Sequence, residues 1–204
     1  MKDRKAHWEE VYSIRKPDEV GWYQADPRPS LELIEATGAG PDAAVIDVGG
    51  GASTLVDKLL ERGFGRLTVL DISAAALEAV KARLGARAAE VRWVVADITR
   101  FEPPQKYDIW HDRAVFHFLT DAADRRRYLD TAARAIDPGG HLIIATFALD
   151  GPEECSGLEV VRYSPESLQQ EVGGNFSLAE SFAQAHMTPS GGAQHFVFCR
   201  FVRQ

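Results

Sequence analysis

The chain is poor in the residues that would place it outside the ordinary soluble globular proteins. It has two cysteines, Cys155 and Cys199, far apart and without metal-ligand spacing, which excludes a disulfide framework as the basis of the fold. Its six histidines are dispersed, so no metal is expected. Positive charge is short too: a formal net charge of −7 argues against nucleic acid as an obligatory partner. Arg125-Arg126-Arg127 is read as a solvated helix face. Long apolar runs are missing; the longest, Leu142 to Leu149, is the size of one strand, and the charged start at Lys2 to Lys5 has no signal-peptide character. The expectation is a soluble cytoplasmic protein with no membrane partner. What is present, in 204 residues that are 45% hydrophobic and 26% charged, suffices for one α/β domain with a buried core.

From Ala43 onward, apolar runs alternate with helical stripes, the pattern of a parallel sheet covered on both faces. Strands are expected at Ala43–Ile46, Leu67–Leu70, Val91–Val95, Tyr107–Trp110 and His141–Ala148. The helices between them are marked by Leu55, Val56, Leu59 and Leu60 (from about Ala52 to Gly63), by Leu77, Val80 and Leu84 behind a Ser73 cap, and by Leu129, Ala132, Ala133 and Ile136. Asp137-Pro138-Gly139-Gly140 stops the last of these. Ser164-Pro165 opens one further helix, and Phe176–Phe182 with His195–Val202 makes a closing antiparallel pair.

The chemistry-bearing motif is Asp47-Val48-Gly49-Gly50-Gly51, at the junction of the first strand with its helix. Glycine there lets the backbone turn sharply and admits a ligand without a Cβ in the way. Asp71 ends the second strand about 20 residues later, where a carboxylate can hold ribose hydroxyls. Thr54 stands where a dinucleotide-binding turn would have its third small residue, which weakens the case for a nicotinamide cofactor.

Together with Ala96-Asp97-Ile98, Pro138-Gly139-Gly140 and the closing hairpin, these motifs resemble those of class I S-adenosylmethionine-dependent methyltransferases of the small bacterial type. The likeness runs from about Asp42 to the C-terminus. It implies a Rossmann-like seven-stranded mixed sheet, order 3-2-1-4-5-7-6 with the last strand antiparallel, and S-adenosylmethionine as cofactor. By position it implies that Gly49 and Gly51 admit the methionine part and that Asp47 favours its ammonium. Asp71 would bind the ribose and Asp97 the adenine amino group, with Ile72 and Ile98 on the ring faces.

Two regions bear on the acceptor. Trp110 to His117 follows the fourth strand, and loops at strand carboxyl ends line the crevice of such sheets. His111 and Asp112 are the candidate base there, against the alternative of an Asp112–Arg113 ion pair and a packed His117. The arm of residues 1–40, with His7-Trp8 to Tyr12 and Trp22-Tyr23, is too aromatic for a disordered tail, and the resemblance implies a helical arm that covers the cleft of the 41–204 core. Its W-x-x-x-Y spacing and Trp-Tyr pair resemble some protein lysine methyltransferases of the same class. Trp22 and Tyr23 are either a cage for a substrate amine or anchors for the arm. The expected function is methyl transfer to an unidentified small molecule. The alternatives are a protein lysine methyltransferase, an NAD(P)-dependent oxidoreductase and a catalytically silent cofactor-binding protein. Nothing in the spacing gives the oligomeric state.

Overall fold

The computed structural model describes residues 3–204. Two helices precede the sheet: α1 (Arg4–Ile14), capped by the Asp3 carboxylate, and α2 (Arg28–Glu35). The core then alternates β1 (Ala44–Val48), α3 (Leu55–Glu61), β2 (Arg66–Asp71), α4 (Ala74–Leu84), β3 (Val91–Val95), β4 (Tyr107–Arg113), α5 (Ala122–Ala135) and β5 (Ile136–Phe147). A two-residue ladder, β6 (Glu154–Cys155) with β7 (Leu158–Glu159), leads to α6 (Pro165–Val172) and the long hairpin β8 (Phe176–Met187) and β9 (Ala193–Arg203).

The seven long strands run in the order β3-β2-β1-β4-β5-β9-β8. β1 to β5 pair in parallel, and β9 is antiparallel to both of its neighbours. This is the order and the single reversed strand that the resemblance implied. All five β1 residues are buried, because a parallel strand at the sheet centre is covered on both faces. One face packs Val45, Ile109 and Ile143 against α2, α3 and α4 through Leu33, Leu59 and Leu77. The other packs Ile46, Trp110 and Ile144 against α5 and α6 through Tyr128, Ala132 and Leu168. The expected caps are in place: Ser73 Oγ accepts from Ala76 N at 3.2 Å, and Ser164 Oγ from Ser167 N at 3.2 Å.

Several boundaries differ from those read in the sequence. The helix expected from about Ala52 begins at Leu55, since Gly49 to Thr54 are spent in the turn itself. β5 starts at Ile136, not His141: Ile136 pairs with Tyr107, Asp137 to Gly140 bulge out, and pairing resumes at His141 with Ile109. The final hairpin extends to Met187 and starts again at Ala193. The consequential difference lies in β4, which runs on through His111, Asp112 and Arg113.

Candidate functional site: a cleft at the carboxyl ends of β1, β2, β4 and β5

Two adjoining pockets lie over the strand ends where the order reverses between β1 and β4, the place where open α/β sheets bind ligands. The larger encloses about 820 Å³ of empty space, part of it open to solvent. Asp71, Ile72, Asp97 and Ile98 line one end of it; Trp8, Trp22, Phe118, Phe147, Cys155 and Phe196 line the other. The smaller pocket is bounded by Asp47, Gly49, Gly50, Ser53, Thr54, Trp22, Tyr23 and His111. Tyr12, Trp22, Gly49 and Arg113 border both.

The glycine turn is shaped by close approach as well as by dihedral angle. Gly49 has φ +68°, and a Cβ there would sit 1.9 Å from Val115 Cγ2. Gly51 has φ +41°, and its Cβ would lie 2.8 Å from Tyr12 Oη and 3.0 Å from Asp71 Oδ2. Neither position has room for another residue. Gly49 N and Gly50 N both donate to Leu70 O, at 2.7 and 3.2 Å, which fastens the turn to the end of β2. Thr54 donates its hydroxyl to Gln24 O at 2.8 Å, so the position lacking a small residue ties the arm to the turn.

The carboxylates differ in environment. Asp47 is buried: Oδ1 is 2.7 Å from His111 Nδ1, and Oδ2 has no hydrogen-bond partner. Asp71 is buried beside it, with Oδ1 accepting from Ser73 N at 2.8 Å. Burial, reinforced by the nearby Asp47 charge, pushes its carboxyl up to about 7 despite the backbone N–H groups that favour ionisation. Asp97 turns Oδ1 onto Thr99, from N at 2.9 Å and from Oγ1 at 2.8 Å, and its Oδ2 lies 3.8 Å from Arg4 of α1.

This donor set suits an adenosyl amino acid. Gly49 and Gly51 hold the turn in positive φ with no room for a Cβ, Asp47 Oδ2 is a buried acceptor without a donor, and Asp71 and Asp97 stand at the ends of neighbouring strands. Ile72 and Ile98 line the same end, Ile98 buried and Ile72 partly so.

The expected base pair is not assembled. Because β4 continues past Trp110, successive side chains point to opposite faces of the sheet. His111 goes toward α2, where Nε2 is 2.9 Å from Ser30 Oγ, so both ring nitrogens are engaged in an Asp47–His111–Ser30 chain. Asp112 goes toward α5: Oδ1 accepts from Val115 N and Phe116 N at 2.9 and 3.3 Å, and Oδ2 from Tyr128 Oη at 2.7 Å. Tyr128 Oη in turn accepts from Trp110 Nε1 at 2.9 Å. Asp112 is fully buried, raised to about 6 by that burial, and does not line the cleft. It braces the turn in which Ala114 adopts φ 72°, a left-handed conformation for a residue with a Cβ. No Asp112–Arg113 ion pair forms, and His117, held neutral by burial with its pKa lowered to about 3, takes Phe147 N on Nδ1 at 3.3 Å.

The arm contributes more than spacing revealed. Glu9 accepts from Ala74 N at 2.7 Å, Ala75 N at 3.1 Å and Ser73 Oγ at 3.0 Å, so a side chain of α1 caps α4 just behind Asp71. Trp8 meets Trp22 and Phe118 edge-on, with centroids 5.6 and 5.1 Å apart. Trp22 donates Nε1 to Tyr12 Oη at 3.2 Å. Trp22 borders both pockets, whereas Tyr23 lines the smaller one alone. The aromatic wall from Phe118, Phe147 and Phe196 was also beyond sequence reasoning, because it draws one residue from each of three distant segments. Among the described residues no group of three or more His, Cys, Asp or Glu could hold a metal ion, and no helix is long and apolar enough to cross a membrane.

Comparison with known proteins agrees with this architecture. Residues 46–142 match a family described as a methyltransferase domain. Nodulation protein S of Rhizobium tropici is 30% identical over 114 residues, covering 56% of this chain and 47% of that protein. Malonyl-[acyl-carrier protein] O-methyltransferase 1 of Ilyobacter polytropus is 29% identical over 104 residues, 50% of this chain and 37% of that one. The chain spans about half the length, or less, of the curated relatives it matches. Among solved structures, the 1,6-didemethyltoxoflavin-N1-methyltransferase of Burkholderia thailandensis, with bound 1,6-didemethyltoxoflavin and S-adenosylhomocysteine, superposes with a TM-score of 0.73 at 21% identity, over 98% of this chain and 87% of that one. In sheet order and glycine turn the chain resembles the class I S-adenosylmethionine-dependent methyltransferases, and residues 46–142 match a methyltransferase domain.

Proposed function

We propose that this protein binds S-adenosylmethionine across the two pockets and transfers its methyl group to a small molecule held between the arm and the aromatic wall, leaving S-adenosylhomocysteine. The observation that carries the reading is the pairing of the Cβ-intolerant turn at Gly49 and Gly51 with the unpartnered Asp47 Oδ2 and the carboxylates Asp71 and Asp97 on one side of it. In this reading Asp71 accepts from the ribose hydroxyls and Asp97 from the adenine amino group. Ile72 and Ile98 flank the ring, and Asp47 favours the ammonium. The bound cofactor supplies an electrophilic methyl on a sulfonium.

The chain's own part is positioning and desolvation. The cleft is short of bases at the acceptor end. Burial pushes the Cys155 thiol up to about 11 and the Tyr12 phenol well above its usual range, and the nitrogens of His111 are taken up behind the turn. The reaction therefore relies on aligning a nucleophile that arrives with its lone pair free, an entropic contribution that well-oriented sites supply. Asp112 acts as a positioning residue: it fixes the turn at Val115, which closes on Gly49. The reading is supported by the names of two of the similar proteins, one an O-methyltransferase and one an N1-methyltransferase. An oxidoreductase is disfavoured by Thr54 and by the antiparallel hairpin beside β5, both foreign to the dinucleotide-binding pattern. The test is release of S-adenosylhomocysteine from S-adenosylmethionine against a panel of small amines, phenols, thiols and acids; no release with any of them would favour the silent cofactor-binding alternative.

A further inference from the structure

Arg113 ends β4 between the two pockets and borders both. Nη1 donates to Trp22 O at 2.8 Å, and the guanidinium lies over the Phe196 ring with Cζ 5.0 Å from its centroid. Nε and Nη2 are buried with no partner. Among the described residues no carboxylate lies within ion-pair distance of this side chain; Asp47, whose charge reaches it, is bonded to His111 instead. Burial lowers its pKa only to about 10, so it stays cationic at neutral pH. Buried charges in proteins are paired, and a guanidinium offers a planar fork that matches a carboxylate. The rest of this part of the cleft is largely aromatic, with Trp8, Trp22, Phe118, Phe147 and Phe196 joined by Tyr12 and the thiol of Cys155.

We propose that Arg113 anchors the carboxylate of the methyl acceptor, and that the acceptor is an aromatic acid whose ring packs on the walls built by Trp8, Phe118 and Phe147. The inference rests on the cleft being a methyl-transfer site. With the arm docked, Nε and Nη2 are shut off from solvent, so the acid enters as the segment around Trp22 shifts and then takes those two donors. A cationic acceptor is excluded by the same charge: a lysine ammonium placed here would face an unpaired guanidinium. Trp22 thus works as part of the wall and as the carbonyl that steadies Arg113, not as one side of an ammonium cage.

The experiment is calorimetry on the whole protein loaded with S-adenosylhomocysteine. The probes are benzoate, phenylacetate and anthranilate, each set against its neutral amide. At least one acid should bind tenfold or more tightly than its amide in the wild type; Arg113→Met should abolish the difference, and Arg113→Lys should keep part of it. Absence of any acid preference, or its survival in Arg113→Met, overturns the proposal. A second arm compares S-adenosylhomocysteine with its decarboxylated analogue. The ratio of their affinities should be the same in wild type and Arg113→Met; a ratio that collapses toward one in the variant would assign Arg113 to the cofactor's own carboxylate and overturn the proposal. Failure of the wild type to bind S-adenosylhomocysteine at all would instead sink the function it rests on.

Discussion

At the residue scale, Asp71 makes opposite demands on the free and the loaded protein. Folding raises its carboxyl from the ordinary range near 4 to about 7, so its contribution favours the free native state at low pH and is lost as pH rises through that window. Ribose hydroxyls, as donors, need the ionised form, so cofactor binding should run the other way. Asp71→Asn should therefore melt higher than wild type at pH 8 in the free state, with the advantage shrinking as pH falls through that window and gone only below about pH 4. It should also bind S-adenosylhomocysteine at least tenfold more weakly. Thermal scans and titrations across pH check both signs; a variant that melts lower at pH 8 and binds normally would contradict the assignment. Gly49→Ala should cost both stability and cofactor binding, because its Cβ would collide with Val115 at 1.9 Å in a positive-φ conformation. Asp112→Ala would strand the Tyr128 hydroxyl and two backbone N–H groups, a loss of about 3 kcal/mol. It should appear as a lowered melting temperature whether or not cofactor is present. Unchanged melting with lost turnover would restore Asp112 as a base.

Elements explain why the crevice-facing carboxylates were legible in the sequence and the path of β4 was not. Asp47, Asp71 and Asp97 were legible because each terminates an apolar run, and the end of a parallel strand fixes a side chain at the crevice. His111 and Asp112 were placed in a loop because the polar stretch after Trp110 does not look like strand; pairing of His111 with Ile143 and Asp112 with Ile144 extends β4 through it. Extending the strand sends successive side chains to opposite faces, so His111 and Asp112 part company. The role of α1 was hidden for a different reason: Glu9 caps α4 across 65 residues of chain, and no local pattern announces such a contact. Glu9→Ala should remove a cap of about 1 kcal/mol. Its sharper effect should be faster dissociation of S-adenosylhomocysteine as α1 lifts from the cleft. Stopped-flow release kinetics separate this from a merely structural change, which would leave the off-rate alone.

Across the whole molecule, the seven-stranded order with a reversed β9 sets the cleft at the β1–β4 switch and puts the hairpin face, through Phe196, into the cleft's aromatic wall. The terminal hairpin, legible as two aromatic-rich runs, thereby serves the site as well as the sheet edge. The arm completes the enclosure from the other side. Both features distinguish this cleft from a dinucleotide site built on the same first three strands. Calorimetric titration of the wild-type protein with S-adenosylhomocysteine and with NADH tests that distinction most directly. The account predicts one-to-one binding of S-adenosylhomocysteine and no heat from NADH; NADH binding without S-adenosylhomocysteine binding would contradict it.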